Sequence, residues 1–258
     1  MTDLSLAGVG VLVTRPQHQA AGLVDAIERR GGKAVPFPTI QIVARDLAQV
    51  SSDAAQLPDP DIAIFVSSNA VQHGLQHVLN ARIAAVGPAT AKAIEAAGRS
   101  VDILSVTGFD SEHLLAKAEL ADLSGKTVRI IRGQDGRELL ATTLRNRGAH
   151  VDYLSVYERT MPSYGAAAVD TITSEWELGG INVVTAMSVA ALLNLISLLP
   201  EPTRKLLART PLVTPAARVL KEALNQFPDL PAALSDGPGA DEIARTIAAI
   251  GLTAPGKP

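Results

Sequence analysis

The sequence predicts an α/β fold made of two similar parallel-sheet α/β domains, one inserted into the other and joined by a two-stranded β connector. Two observations support this fold class. Short aliphatic runs alternate with amphipathic stretches along all 258 residues, the pattern of strand–helix–strand units around a parallel sheet. Several segments also occur twice, in an order that a single uninterrupted domain does not explain.

Eight short aliphatic runs predict the strands of the two sheets. They are Val9–Thr14, Ile62–Ser67, Ile83–Val86, Val101–Ser105, Thr127–Arg132, Val183–Thr185, Pro211–Thr214 and Ala232–Ser235. Helical apolar spacing follows the first strand from Ala20 to Ile27 and the fifth from Leu139 to Leu144. Three helices are predicted to end in a left-handed glycine, at Gly31, Gly98 and Gly148.

The repeat begins with a strand, an arginine and a turn. VLVTRPQ at 11–17 returns as VRIIRGQ at 128–134. The same correspondence joins four further pairs of segments, which are 27–35 with 144–151, 64–75 with 183–193, 85–98 with 212–224, and 104–115 with 234–244. The opening unit therefore has its partner at the end of the middle section, whereas the other units repeat in sequence after it.

This displaced order predicts that one domain interrupts the other. Domain 1 is expected at 1–38 and 161–258, and domain 2 at 40–160. The crossing segments, 35–43 and 151–160, have extended character and are expected to pair as a short ladder that acts as a hinge. The alternative is one large doubly wound sheet, which leaves the displaced repeat unexplained.

The composition excludes several classes of function. Apolar residues make up 47% of the chain and aromatic residues 3%, so the core must be aliphatic. A net charge of −3 without any basic tract gives no footprint for nucleic acid. The absence of cysteine excludes disulfides, thiolate metal sites and cysteine nucleophiles, and it suits a reducing compartment.

The chain is expected to be soluble, cytoplasmic and monomeric. Its first ten residues lack the basic and apolar regions of a signal peptide. The longest apolar run, near 189–199, is too short and too interrupted to span a bilayer. No heptad repeat that would indicate oligomerisation is evident.

Small and polar residues follow most of the predicted strands. In open parallel sheets ligands bind beyond the carboxyl ends of the strands, and helix N-termini there favour oxyanions. Taken singly, each such residue is equally an ordinary helix cap. Their presence in both halves predicts two rims across a cleft that suits a large anion with many acidic groups. The positions are Thr14-Arg15, Ser67-Ser68-Asn69, Gly87-Pro88-Ala89-Thr90, Thr107-Gly108, Thr185, Ser188, Thr214-Pro215 and Gly237-Pro238-Gly239.

Three side chains have a functional and a structural interpretation. Arg15 and Arg132 occupy the same position of the repeat, where an arginine either pairs with a ligand carboxylate or remains a solvated charge or packing stem. Tyr157 lies on the second crossing segment. It either packs over the hinge or faces the cleft, where its phenol would give a proton or hydrogen bond to a leaving oxygen.

The common catalytic motifs are missing. The chain has no GxGxxG after a strand, no P-loop and no GxSxG elbow, which disfavours nicotinamide, nucleotide and nucleophile-elbow chemistry. His73 and His77 have i,i+4 spacing, but no carboxylate or cysteine accompanies them, so no metal site is predicted.

Four motifs in order resemble the uroporphyrinogen-III synthase family over nearly the whole chain. They are VLVTRPQHQAAGLVDAIERRGGKAVPFPTIQI, FVSSNAVQHGL, IAAVGPATAKAIEAAG and KTVRIIRGQDGRELLATTLRNRGAHVDYLSVYERT. The resemblance implies two α/β domains, the first discontinuous, with the site in the cleft. It also implies conversion of hydroxymethylbilane to uroporphyrinogen III, with loss of water and inversion of the last pyrrole, and without metal or organic cofactor.

The resemblance also assigns roles to particular residues. Tyr157 matches the tyrosine suggested as proton donor, and it is the expected catalytic residue. Ser67 and Thr90 match hydroxyl residues of two loops. The expected substrate-binding set is Arg15, Ser67, Ser68, Asn69, Thr90, Arg132, Thr185, Ser188 and Thr214.

Departures from the family pattern leave two alternatives open. Val66 stands where a threonine is expected, Thr185 stands where a serine is usual, and Ala216 and Ala217 remove hydroxyls that some members have. Backbone donors are therefore favoured over side chains on the C-terminal rim. The alternatives are a non-catalytic two-domain anion- or tetrapyrrole-binding module and an inactive synthase-like domain. If the chain is an enzyme, a transient handover of substrate from the preceding pathway enzyme is a further expectation.

Overall fold

The chain folds into two α/β units. The computed structural model describes residues 5–105, 110–136 and 138–250, so the predicted loop position Thr107-Gly108 lies outside the described residues. Unit 1 comprises Met1–Gln41 and Thr160–Pro258, and unit 2 comprises Ile42–Arg159. Each unit is organised around its own sheet.

The elements alternate between strand and helix along most of the chain. The strands are β1 (Gly10–Val13), β2 (Lys33–Pro36), β3 (Gln41–Ala44), β4 (Ile62–Phe65), β5 (Arg82–Ala85), β6 (Ile103–Leu104), β7 (Thr127–Gly133), β8 (His150–Thr160), β9 (Val183–Thr185), β10 (Leu212–Thr214) and β11 (Ala232–Leu234). The helices are α1 (Gln17–Glu28), α2 (Leu47–Ala55), α3 (Ser68–Gly74), α4 (Pro88–Ala96), α5 (Ser111–Leu115), α6 (Leu139–Asn146), α7 (Ala166–Glu177), α8 (Val189–Leu198), α9 (Glu201–Leu207), α10 (Ala217–Gln226) and α11 (Ala240–Ala249), with 3₁₀ turns at Leu75–His77 and Ala118–Leu120.

The sheet of unit 1 has five strands in the order β11-β10-β9-β1-β2, and all its pairings are parallel. Its three central strands are buried at every position, as expected for a parallel sheet with both faces covered. Successive residues point to opposite faces. Leu12 and Val184 therefore belong to one core cluster, whereas Val11, Val13 and Val183 belong to another.

The sheet of unit 2 has six strands in the order β3-β8-β7-β4-β5-β6. The pairings from β8 through β7, β4 and β5 to β6 are parallel. Ile62 and Ile64 pack into one core cluster, and Ala63 and Phe65 pack into the other. The sheet thus supports an aliphatic core on each face, which agrees with the low aromatic content of the sequence.

Strand β8 contains one extra residue. Arg132 of β7 pairs with Ser155 of β8, whereas the next residue, Gly133, pairs with Tyr157. Val156 therefore has no partner in β7. Such a bulge reverses the alternation of side chains beyond it. Tyr157 consequently packs in the same core cluster as Val156, while Tyr153 packs against the cluster on the other face.

The predicted fold class is confirmed, and all eight predicted strands are present. Val183–Thr185 has the predicted bounds, and the others differ at one or both ends. The strands β2, β3 and β8 were not among the eight, because their segments were predicted only as extended crossings. The second and third of these, β3 and β8, are neighbours in the sheet of unit 2, as predicted for a paired connector.

The two copies of the opening motif diverge after the strand. In unit 1, α1 begins at Gln17, directly after Pro16, whose fixed φ suits a helix entry. In unit 2, β7 ends at Gly133 and α6 begins only at Leu139. The helix therefore begins two residues after Arg15 in unit 1 but seven residues after Arg132 in unit 2.

The predicted helix-ending glycines adopt the left-handed conformation. Gly31 has φ 80° and Gly148 has φ 86°, and both follow helices of the repeated unit. Within the described ranges, the structure contains no helix with the length and apolar character needed to cross a membrane.

Candidate active site

Three parallel strands of unit 1 end at the same edge of its sheet. Val13 of β1 and Val213 of β10 both pair with Thr185 of β9, so the strands end at about the same level. Arg15 and Thr214 follow at this edge. The structure thus brings these predicted residues together, as expected for the carboxyl ends of parallel strands.

The two threonines of this edge that were predicted to bind substrate are buried and already bonded. Thr185 is 0% exposed, and its Oγ1 donates to the Leu12 carbonyl at 3.0 Å. Thr214 is also 0% exposed, and its Oγ1 accepts from the Ala216 amide at 3.3 Å. Both hydroxyls therefore stabilise the fold, which leaves backbone groups as the better ligand donors here.

Ser188 at this edge is a helix cap. Its Oγ accepts from the Ala191 amide at 3.2 Å, which satisfies one free N–H at the start of α8. The structural interpretation of this serine is therefore correct, and its half-buried hydroxyl still has donor capacity.

Arg15 differs from its neighbours because its guanidinium has no hydrogen bond or ion pair with the part of the chain that the structure describes. The side chain is half-buried. Burial lowers the pKa of this guanidinium, since the charged form loses solvation. A partly desolvated cation without a partner is suited to pair with a carboxylate.

In unit 2, the strand ends of β4 and β5 carry the predicted hydroxyl loops. Ser67 caps α3 by accepting from the Ala70 amide at 3.1 Å. Ser68 Oγ donates to the Ala89 carbonyl at 3.2 Å, which links α3 to the first turn of α4. Thr90 lies in that turn and is buried. The remaining predicted residue of these loops, Asn69, is buried in α3.

Arg132 is held by its own unit. Its Nη1 donates to Glu138 Oε1 at 3.1 Å, its Nε donates to the Gly133 carbonyl at 3.2 Å, and its guanidinium lies 4.7 Å from the centre of the Tyr153 ring. Tyr153 also donates to Glu138 Oε2 at 2.5 Å. The hydrogen bonds from Tyr153 and Arg132 lower the pKa of the Glu138 carboxyl.

These contacts hold Glu138, just before α6, against the end of β7. Arg132 was predicted to bind substrate, but its side chain is 8% exposed and its donors point to groups of the chain. The matching arginine of the repeat, Arg15, has no such partner among the described residues. One position of the repeat therefore has two different environments.

Tyr157 lies beside Ser67 at this edge. The Tyr157 Oη and the Ser67 Oγ are 3.1 Å apart, and Arg159 Nη2 donates to the Tyr157 Oη at 3.3 Å. The sequence left two interpretations open, a phenol that faces the cleft and a ring that packs over the hinge. The structure buries Tyr157 completely, at 0% exposure, because the bulge in β8 turns its ring into the core of unit 2.

Gly133 provides the surface on which the Tyr157 ring lies. A methyl group at Gly133 would come within 2.7 Å of Tyr157 Cε2 and 2.9 Å of Cζ. The glycine of the VRIIRGQ motif therefore has a packing function. Its counterpart in the first copy of the motif is Pro16.

Three residues of this arrangement were not predicted from the sequence. Arg159 lies two positions after Tyr157 on β8, so the two side chains share a face, and this spacing was a usable signal. Gly133 was noted only as a break in the chain. Glu138 gave no signal, since its contact with Arg132 depends on the path of the segment between β7 and α6. Within residues 5–105, 110–136 and 138–250, no cluster of three or more His, Asp or Glu side chains is arranged to hold a metal ion.

Comparison with known proteins decides the family. The sequence model described as uroporphyrinogen-III synthase HemD matches residues 21–243. The chain belongs to the uroporphyrinogen-III synthase family.

Two curated members of the uroporphyrinogen-III synthase family are similar over most of their length. The enzyme named uroporphyrinogen-III synthase from Salmonella typhimurium strain LT2 is 31% identical over 211 residues, covering 75% of this chain and 81% of that protein. The protein of the same name from Escherichia coli strain K12 is 30% identical over 203 residues, with the same coverage.

A solved structure of the family has the same fold. Uroporphyrinogen-III synthetase from Helicobacter pylori 26695 aligns with a TM-score of 0.65 over 94% of this chain and 99% of that one. Its sequence identity is 13%, so this likeness concerns the fold.

Proposed function

We propose that this chain is a uroporphyrinogen-III synthase, a lyase of porphyrin and heme biosynthesis. It cyclises hydroxymethylbilane with loss of water and inverts the last pyrrole. The family match over residues 21–243 carries this proposal. The strand-end edges described above supply the polar groups that such a substrate requires.

The chemistry requires more confinement than side-chain catalysis. A hydroxymethyl pyrrole ionises to an azafulvene cation once its hydroxyl is protonated and leaves as water. The terminal pyrrole must then attack through its substituted carbon, which gives a spiro intermediate, because attack through the free carbon gives the uninverted type I isomer. Holding the flexible chain in one curled conformation therefore directs the product.

The substrate carries eight carboxylates, and Arg15 is the side chain of unit 1 best suited to bind one of them. Its guanidinium is half-buried and has no partner within the described residues. A charge-assisted pair with a carboxylate would be stronger here than in water. The hydroxyl of Ser188 and the backbone amides at the same edge would hold neighbouring acidic groups. At the edge of unit 2, Ser68, Asn69 and Thr90 would hold others, and the Ser67 hydroxyl would contact the substrate elsewhere than at a carboxylate.

The two arginines of the repeat provide a matched test of this assignment. Arg15→Gln should raise the KM for hydroxymethylbilane by about tenfold and leave kcat close to wild type, since it removes one charged contact to the substrate. Arg132→Gln should leave KM unchanged and lower the thermal stability of the protein, because Glu138 and Tyr153 lose their partner. Equal rises in KM in both variants would contradict the division between the two arginines.

The activity itself is tested by resolving the product isomers. Freshly generated hydroxymethylbilane is incubated with and without the protein, and the oxidised products are separated chromatographically. The type III isomer should predominate in the presence of protein, and only type I should form without it. Type I alone, at the spontaneous rate, would show that the chain binds tetrapyrroles at most.

The proposal extends to the setting of the enzyme. A monomer in the cytoplasm, with a transient handover of the substrate from the preceding pathway enzyme, is supported by the absence of cysteine and of heptad repeats. Light scattering of the purified protein would report the mass of one chain, 26.9 kDa, for a monomer.

A further inference from the structure

The three side chains around the buried phenol form a directional hydrogen-bond chain. A guanidinium has donors and no acceptor, so Arg159 Nη2 must donate to the Tyr157 Oη across their 3.3 Å contact. The phenol proton then needs an acceptor, because an unpaired buried donor is costly. Among the described residues, the oxygen within hydrogen-bond distance that can accept it is the Ser67 Oγ, at 3.1 Å.

This direction determines where the serine proton points. The Ser67 Oγ accepts from the Tyr157 phenol and from the Ala70 amide at 3.1 Å. Both acceptor positions of the hydroxyl are then used, so its own proton is free to point away from the core. Ser67 is half-buried, whereas the Tyr157 behind it is 0% exposed.

We infer that Ser67 is the group that contacts the leaving hydroxyl of the substrate, and that Tyr157 and Arg159 act behind it as a proton relay. This inference rests on the proposed synthase function. Tyr157 is then the source of the proton, Ser67 is the catalytic residue, and Arg159 is a positioning residue that fixes the direction of the phenol.

The relay balances in atoms and charge. As the carbon–oxygen bond of the substrate breaks, the Ser67 proton moves to the departing oxygen, which leaves as water. The Tyr157 proton moves to the Ser67 oxygen at the same time, and the phenolate that forms lies beside the Arg159 guanidinium. Ring closure later releases one proton from the new macrocycle, which returns to the phenolate through Ser67.

The position of Arg159 follows from the strand. Arg159 is two residues beyond Tyr157 on β8, so both lie on one face after the bulge. Its guanidinium carbon is 5.7 Å from the centre of the Tyr157 ring, close enough for a cation–π contact. Arg145 has the same 5.7 Å distance to Tyr153, but it makes no contact with the Tyr153 hydroxyl. It is therefore a matched control.

A double-mutant cycle on the full-length protein tests the relay. Tyr157→Phe and Ser67→Ala should each lower kcat about a hundredfold, the range of general acid catalysis, and Arg159→Met about tenfold, all with little change in KM. Arg159→Met should cause no further loss in the Tyr157→Phe background, and neither should Ser67→Ala. Arg159→Lys should recover part of kcat, and Arg145→Met should keep the wild-type kcat.

Several outcomes would overturn the relay. If Arg159→Met raises KM, or lowers kcat by the same factor with and without the phenol hydroxyl, Arg159 binds the substrate directly. If Ser67→Ala keeps wild-type turnover, the serine is a helix cap alone. Circular dichroism confirms that each variant is folded, and Tyr157→Phe keeps the buried ring. A wild type that forms type I alone overturns the synthase function and the relay with it, whereas an active wild type with unchanged relay variants overturns only the relay.

Discussion

Gly133→Ala should abolish most of the synthase activity without unfolding the protein. The added methyl group would lie 2.7 Å from Tyr157 Cε2, so the ring must shift and carry its hydroxyl away from Ser67. Displacing a catalytic group by about 1 Å costs about a hundredfold in rate. The rate of type III formation by the purified variant measures this effect.

A matched substitution controls for the loss of a glycine. Gly22 lies inside α1, and a methyl group there would meet no atom within 4 Å. Gly22→Ala should keep wild-type turnover and raise the free energy of unfolding by about 0.5–1 kcal/mol, since alanine favours helix. Wild-type turnover in Gly133→Ala would show that the position of the phenol does not limit the reaction.

Among the substitutions considered, Arg129→Met should cause the largest decrease in the free energy of unfolding. Arg129 on β7 pairs with Asp152 on β8 at 2.9 Å, and their side chains are 2% and 9% exposed. The guanidinium also donates to the Pro58 carbonyl at 2.7 Å. Removing the arginine leaves the carboxylate buried without a countercharge, at an expected cost of about 3–5 kcal/mol.

Urea unfolding measures this loss of stability, and the single tryptophan shows which unit unfolds. Trp176 is buried in unit 1, so a urea transition seen by circular dichroism but not by its fluorescence belongs to unit 2. Lys205→Met, which breaks a pair with both side chains 70% exposed, should cost at most about 1 kcal/mol.

A double substitution tests whether the unpaired carboxylate causes the loss of stability in Arg129→Met. The Asp152 Oδ2 has no hydrogen-bond partner within the described residues, so the pair is incompletely satisfied. Replacing both partners, as Arg129→Met with Asp152→Leu, should recover most of the lost stability. No recovery would mean that packing of the arginine stem, not the charge, stabilises the sheet.

Much of the fold follows from local patterns. Aliphatic runs such as Val183–Thr185 predicted the central strands because residues buried on both faces of a parallel sheet must all be apolar. The sheet edges on which Arg15 of unit 1 and Ser67 of unit 2 lie were also predictable, since the carboxyl ends of parallel strands meet at one side of each sheet. Helix-ending glycines such as Gly31 were evident because other residues rarely adopt positive φ.

The environment of each site residue was less predictable. Arg15 and Arg132 occupy the same position of the repeat, and only the path of the segment after β7 gives one of them a partner. A contact of this kind depends on the three-dimensional path of the backbone, which residue spacing does not determine. The sequence therefore predicted two equivalent arginines, whereas the structure has one paired and one free within the described residues.

The burial of Tyr157 has a similar origin. Strict alternation along β8 places Tyr153 and Tyr157, four residues apart, on one face. The bulge at Val156 places them on opposite faces, and no feature of SVYERT indicates a bulge. The interpretation of Tyr157 as a phenol that faces the cleft thus depended on a regular strand.

The extra residue in β8 makes two lengths of this segment equivalent for the position of the second ring. Deleting Val156 would remove the bulge and leave Tyr153 and Tyr157 three residues apart. Regular alternation would then still place the two rings on opposite sides of the sheet, with the second beside Ser67. A four-residue interval without the bulge would instead carry the second ring to the other side. Natural variants of this segment should therefore have either a bulged strand with an interval of four residues or a regular strand with an interval of three.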